Sequence, residues 1–413
     1  MSISDHLPEH IRELTEQYAG ETVAIRRHLH QYPELSFEEH ETASFICERL
    51  DESGIPYQSG VAGTGVIAEV QGQADGSAGA RKTRGATVPG AGKVVALRAD
   101  IDALPIQEPE GLPFCSQRPG VMHACGHDIH SAALLGAGRI LQSVREQFAG
   151  TVRLLFQPAE ERIPGGALGM IQAGALRNPP VNSVIGEHVN PDLPVGQVAF
   201  HSGFFMASVD DVFITVRGRG GHAAKPHQNI DPVIMSAHLL TSLQQIVSRS
   251  ADPLVPSVLS FGRVIADGAH NVIPNEVRLE GTFRTTDDAW RYEAHDQIRR
   301  IASSTVASMG GEADVEIRVG YPSVMNEPGL TERLRSSAVE YLGQEQVVDI
   351  SPAMWAEDFA YYGREAPACF YNLGVGTPGV DNAPVHSPSF KAEEGCIALA
   401  SGLLSYLALT ELS

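Results

Sequence analysis

The 413-residue chain is short of positive charge: 30 lysines and arginines stand against 50 aspartates and glutamates, a formal net charge of -20 at pH 7. That sign repels phosphate backbones and anionic lipid surfaces, so nucleic acid and membrane drop out as expected partners. Cysteine is scarce as well. Cys47, Cys115, Cys125, Cys369 and Cys396 are odd in number and without paired spacing, which fits reduced thiols rather than a disulfide framework. The opening MSISDHLPEHIRELTEQ lacks the order of a signal peptide, and no apolar run stands out near the ~18 residues of a membrane span. Together these absences predict a cytoplasmic protein.

The length suits two domains, at roughly 150 residues each. Short apolar segments at 93–99 (KVVALRA), 152–156 (VRLLF) and 181–185 (VNSVI) read as buried strands. They alternate with helical patterns at 131–144 and 162–175, which predicts an α/β fold whose mixed sheet is mostly parallel and flanked by helices. The Gly/Ala/Ser-rich stretch 71–92 reads as a surface loop without chemistry. A second pattern runs through 203–321: strand 211–217, a helix opening at Asp231-Pro232, strands 257–265 and 277–284, helix 287–309 and strand 313–319. This βαββαβ order predicts a ferredoxin-like domain inserted between catalytic segments 1–202 and 322–413.

In α/β sheets ligands gather beyond the strand ends, and there this sequence is loaded with metal-type donors. Asp100 and Asp102 end one strand, Cys125-Gly-His127 precedes a helix, Glu160-Glu161 and His188 follow two further strands, and His386 sits in GVDNAPVHSPSF. One thiolate, three imidazoles and a carboxylate exceed a closed tetrahedral site but suit two divalent ions that share a ligand. The set favours Zn²⁺ on softness, with Mn²⁺, Co²⁺ or Ni²⁺ as alternatives. In the Glu160-Glu161 pair one carboxylate can bind metal while its neighbour takes a proton from water. A rival reading makes Cys125 a nucleophile with a distant histidine as base. A thiol two residues from a histidine, followed by a carboxylate pair after the next strand, fits metal binding better.

The segments RRHLHQYPELSFEEHET, ALRADIDALP, MHACGHDIHSAALLGAG, VRLLFQPAEE, GEHV, GRGGHAAKPHQNIDPV, NVIPNEVRLEGTFRT, EDFAYY and VHSP, in that order, resemble the dinuclear metal-dependent aminoacylases and carboxypeptidases. MHACGHD followed by QPAEE is similar to the branch of hippurate hydrolases and auxin-conjugate amidohydrolases. The resemblance implies that Cys125, His127, Glu161, His188 and His386 hold the two metals, with Cys125 bridging. It implies Glu160 as general base and Asp100 as the aspartate that orients a metal-bound histidine. Arg98 stands where many relatives have a metal-binding histidine, and an arginine cannot replace it. The resemblance makes the inserted domain a lid and dimerisation domain, in which His222 helps hold the oxyanion in the partner subunit's site and Asn271 and Arg284 bind substrate. His123 and His130 remain as supporting or structural groups. Glu187 departs from the branch, where an apolar residue is expected.

The expected activity is hydrolysis of the amide of an N-acyl-L-amino acid in a cytoplasmic homodimer. The alternatives are a metallo-dipeptidase or carboxypeptidase using the same donors, or a metal-binding relative without turnover.

Overall fold

The computed structural model describes residues 6–74 and 92–413. Most of the stretch expected as a surface loop, residues 75–91, lies outside the described residues. Two compact units emerge. The first comprises the described residues up to Gly203 together with Met325–Ser351 and Asp358–Ser413, and the second comprises Phe204–Val324 with Pro352–Glu357.

The first unit is built on an eight-stranded sheet in the order β1-β2-β4-β3-β5-β16-β6-β15. Its strands are β1 (Tyr57–Val61), β2 (Gly65–Gln71), β3 (Val94–Asp100), β4 (Thr151–Gln157), β5 (Ser183–Pro194), β6 (Val198–Phe200), β15 (Val347–Asp349) and β16 (Ala368–Gly376). The central strands run parallel, β3 with β4 and β5, and β5 with β16, so their C-terminal ends share one edge of the sheet. β3 and β16 are buried at every position, as continuous apolar strands covered on both faces should be. The helices of this unit are α1 (Leu7–Gln31), α2 (His40–Glu52), α3 (His127–Ser143), α4 (Ala167–Gln172), α7 (Pro328–Leu342), α8 (Tyr362–Glu365) and α9 (Gly395–Leu412).

Two sequence expectations need correction here. Helix 162–175 shrinks to α4, because Pro164, Gly165 and Gly166 hold off its start and Gly174, at φ 95°, ends it. And α9, GCIALASGLLSYLALTEL, is long and apolar enough to cross a membrane, although the sequence reading found no such run. Interspersed Gly, Ser, Thr and Tyr disguise it. It is a core helix, buried along most of its length beside α1, α3 and α7. Small residues allow that closeness: a Cβ on Gly136 of α3 would lie 2.5 Å from Ser401 Oγ of α9.

The second unit carries a four-stranded antiparallel sheet, order β10-β12-β8-β13. Its strands are β8 (Asp210–Arg217), β10 (Ser257–Ile265), β12 (Glu276–Thr285) and β13 (Glu312–Val319), with helices α5 (Pro232–Gln245) and α6 (Asp288–Ala307). Strands β7 (Gly203–Met206) and β14 (Val324–Asn326) lie where the chain enters and leaves this unit. A short ladder pairs β9 (Gly221–His222) with β11 (Val272–Ile273). The Asp231 carboxylate accepts from the Val233 and Ile234 amides with Pro232 in the first turn, which fixes the start of α5. Val212, Ile214 and Val216 alternate inward against Met235 and Leu239 of α5 and Ile298 of α6.

Candidate metal centre

Parallel strands deliver the donors to one edge of the first unit. β3 ends at Asp100, β4 leads into Pro158, Ala159 and the Glu160-Glu161 pair, and β5 carries His188. Cys125 and His127 flank Gly126 at the start of α3, and His386 lies in the segment after β16. Gly126 is required there: its φ is 82°, and a Cβ would meet Val189 Cγ2 at 2.5 Å. His386 and Ala159 have φ of 61° and 54°, left-handed values that non-glycine residues rarely adopt. Such backbones persist where surrounding contacts over-determine them, and functional sites collect them.

Two triads emerge. Donor atoms of Cys125, His127 and His188 lie within 4.8 Å of one another, and so do those of Cys125, Glu161 and His386. Cys125 belongs to both. Its Sγ is 3.3 Å from His188 Nε2, and His386 Nε2 is 3.2 Å from Glu161 Oε1. His188 Nδ1 donates to the Val189 carbonyl and His127 Nδ1 to the Asp102 carbonyl, which leaves both Nε2 atoms facing the cluster. His127 Nε2 is buried without a hydrogen-bond partner, 4.0 Å from Glu160 Oε2 and 3.9 Å from Glu161 Oε1. Glu160 is itself buried.

The electrostatics call for cations. Burial and then Glu161, Glu160 and Asp100 push the Cys125 thiol well above its ordinary pKa, so a thiolate there needs added positive charge. Burial favours a neutral His127, but Asp100, Asp102 and Glu161 override it and raise its pKa to about 10. A divalent cation would satisfy that field in place of the proton. His188 is held neutral, its pKa lowered to about 3 by burial and by His130, as a metal-binding imidazole must be. Soft and hard donors of the right kinds, an orphaned imidazole nitrogen and excess buried negative charge all fit a pair of divalent metals.

Supporting groups surround the donors. Asp100 Oδ1 accepts from His130 Nδ1 at 2.7 Å, and His130 Nε2 accepts the Val189 amide beside His188 at 2.9 Å. Asp100 Oδ2 lies 3.6 Å from His127 Nε2, a charge contact. Arg98 is fully buried and bonds Asp100, Asp358 and Gln157. Asp128, next to His127, takes hydrogen bonds from Arg26 and His30 of α1, and His30 also meets Glu108. His123 is buried, and neither ring nitrogen makes a hydrogen bond. Glu187 points to the opposite face of β5 from His188, as strand alternation demands. There it accepts from the Tyr371 hydroxyl at 2.5 Å, and burial raises its pKa to about 7.

The other sequence candidates belong to the second unit. β9 and β11 bring His222 opposite Val272, next to Asn271, and both His222 and Asn271 are exposed. Arg284, at the end of β12, donates to the Met354 carbonyl, and burial lowers its pKa. Sequence reasoning gave no role to Ser36, Glu39 and Thr64, which hydrogen-bond at the rear of the centre. Ser36 and Glu39 lie in the PELSFEE stretch, whereas Thr64 follows β1 and carries no local signal.

Residues 96–409 match the family described as Peptidase family M20/M25/M40. The chain belongs to this family. It is 40% identical over 397 residues to the N-acetyl-L-cysteine deacetylase of Bacillus subtilis, covering 96% of this chain and 88% of that protein. It is 37% identical over 393 residues to an Arabidopsis thaliana protein named IAA-amino acid hydrolase ILR1-like 5, covering 94% and 85%. Among solved structures, the Bacillus subtilis YXEP protein, described as a dinuclear metal binding peptidase of the M20 family, superimposes with a TM-score of 0.79. The two share 36% identity, with 96% of this chain and 99% of that one covered. The M20 chain thus shares sequence and architecture with these proteins along nearly its whole length.

Proposed function

We propose that this M20 member, a metal-dependent amidohydrolase, cleaves N-acyl-L-amino acids into a carboxylic acid and a free amino acid. The observation that carries the reading is the pair of donor triads joined at Cys125 beside the buried carboxylate of Glu160. Cys125, His127 and His188 are assigned to one metal and Cys125, Glu161 and His386 to the other. Bound there, two divalent ions, with Zn²⁺ favoured by the thiol and imidazoles, supply Lewis acidity toward the acyl carbonyl and lower the pKa of water.

In this reading Glu160 takes the proton from the attacking water and passes it to the leaving amine. Asp100 acts through His130, whose ring fixes the Val189 amide and with it the backbone that carries His188. Arg98 balances Asp100 and Asp358 in place of a metal ligand. His222 serves as an oxyanion donor, and Asn271 and Arg284 bind substrate, in a homodimer formed through the second unit. The names of relatives, a deacetylase of N-acetyl-L-cysteine and an IAA-amino acid hydrolase, support an acylated amino acid as substrate. All five cysteines are unpaired, which supports the cytoplasm as its location.

The test is release of free amino acid from a panel of N-acyl amino acids and dipeptides by chelator-treated protein, with and without restored Zn²⁺ or Mn²⁺. Metal-dependent turnover of the acylated amino acids is expected. Turnover confined to dipeptides would replace this reading with a dipeptidase, and no turnover with any metal would reject it. Dimerisation is tested separately by sedimentation, and the His222 assignment by mixing His222→Ala with Glu160→Gln, which should restore activity only in hybrid dimers.

A further inference from the structure

The turn that presents the two glutamates has three successive backbone amides, those of Ala159, Glu160 and Glu161. All three are taken by buried carboxylates. Ala159 N donates to Glu39 Oε1 at 2.8 Å, Glu160 N to Asp102 Oδ1 at 3.1 Å and Glu161 N to Asp102 Oδ2 at 3.0 Å. The same Asp102 receives His127 Nδ1 twice, at its carbonyl (2.9 Å) and at Oδ1 (3.2 Å). Ser36 Oγ donates to Asp102 Oδ2 at 2.6 Å, and Thr64 Oγ1 donates to Glu39 Oε2 at 2.6 Å. Neither carboxylate has any exposed surface.

We propose that Asp102 is the positioning residue of this centre, one carboxylate that sets the tautomer and aim of His127 and at the same time fixes the turn presenting Glu160 and Glu161. The inference rests on the functional reading above for what those three side chains do. Its physical basis is the shared acceptor. A carboxylate accepts through both oxygens, so four donors can converge on it: two amides, an imidazole N–H and a hydroxyl. The left-handed backbone at Ala159 aims successive amides toward the two acids, an arrangement known for binding anions. Glu39 anchors the first amide of the turn, and Ser36 keeps Asp102 in its rotamer. An asparagine at 102 keeps the shape but turns one acceptor into an NH₂ donor facing N–H groups, so His127 and the turn lose their common reference.

The experiment titrates the metal-free 413-residue chain with Zn²⁺ against a chromophoric chelator, then measures kcat and KM at saturating Zn²⁺. Asp102→Asn should weaken Zn²⁺ binding by about 10- to 100-fold and lower kcat by a similar factor, with KM changed far less. Ser36→Ala should move both in the same direction by less, and Ser36→Thr, which restores the hydroxyl, should recover them. A purely structural Asp102 would lower the melting temperature while Zn²⁺ affinity and kcat of the folded protein stayed at wild type, and that result overturns the proposal. Should Asp102→Asn fail to fold, the Ser36→Ala and Ser36→Thr pair decides: wild-type affinity and kcat in both reject it. Glu160→Gln, measured alongside, separates the two claims. If it turns over normally the general-base role assigned to Glu160 falls, while the Zn²⁺ titration still judges Asp102.

Discussion

Each unit buries a cluster of carboxylate and imidazole, and the two clusters end in opposite states. In the second unit Asp210 takes Arg291 through Nε and Nη2, His295 through Nε2 at 2.6 Å and the Gly320 amide at 3.1 Å, and Arg291 also donates to the Val209 and Gly320 carbonyls. Charge is balanced and both carboxylate oxygens are satisfied within the protein. At the candidate metal centre, Glu160, Glu161 and Asp100 crowd a buried thiol, and His127 Nε2 has no hydrogen-bond partner. A buried polar cluster that closes on itself belongs to the fold, whereas one that keeps excess negative charge and an unpaired imidazole nitrogen suits a bound cation.

The contrast can be broken or sharpened by substitution. The largest expected effect is on chemistry: Glu160→Gln should reduce kcat by about 10²- to 10⁴-fold while two Zn²⁺ remain bound, as judged by elemental analysis. Next comes Asp210→Asn, which strands Arg291 and should destabilise the second unit by about 3–5 kcal/mol without changing metal stoichiometry. Both tryptophans, Trp290 and Trp355, lie in that unit, so their fluorescence follows its unfolding. If Asp210→Asn instead released metal, the separation drawn between the clusters would fail. Cys125→Ser should do the converse, lowering Zn²⁺ stoichiometry with little change in the tryptophan transition.

A smaller effect is expected from Tyr371→Phe. It removes the hydroxyl that satisfies buried Glu187 and should cost about 1–3 kcal/mol in chemical denaturation. The smallest is a pH effect in the second unit. Burial would raise the Asp210 pKa, but Arg291 and His295 outweigh it and hold it below the ordinary 3.8. A depressed acid adds stability above its unfolded pKa that drains as pH falls through the native value. The tryptophan transition should therefore weaken in acid below about pH 4, and Asp210→Asn should remove that part of the slope.

Much of this was legible along the chain. KVVALRA and VRLLF announce buried strands, alternating residues in 277–284 announce a sheet with one covered face, and Asp231-Pro232 marks a helix start, because these signals depend on neighbours a few residues away. The gathering of the candidate donors at one sheet edge was legible in part: Glu160 and Glu161 follow β4 as expected, but His188 lies within β5 rather than after it. α9 was not legible, because Gly, Ser, Thr and Tyr interrupt its apolar run, and only packing against α1, α3 and α7 shows it as a core helix.

By itself the sequence determined the α/β class of the larger unit, the βαββαβ strand and helix order of the smaller one, and the residue types that gather as candidate metal donors. The tertiary structure decided which acid serves which base. Asp100 and Asp102 sit two residues apart, yet one hydrogen-bonds His130 and the other His127 and the glutamate turn. The Ala159 amide is held by Glu39, 120 positions away. Such partners are set by how helices and strands pack, and a bond between distant segments leaves no spacing in the chain to read.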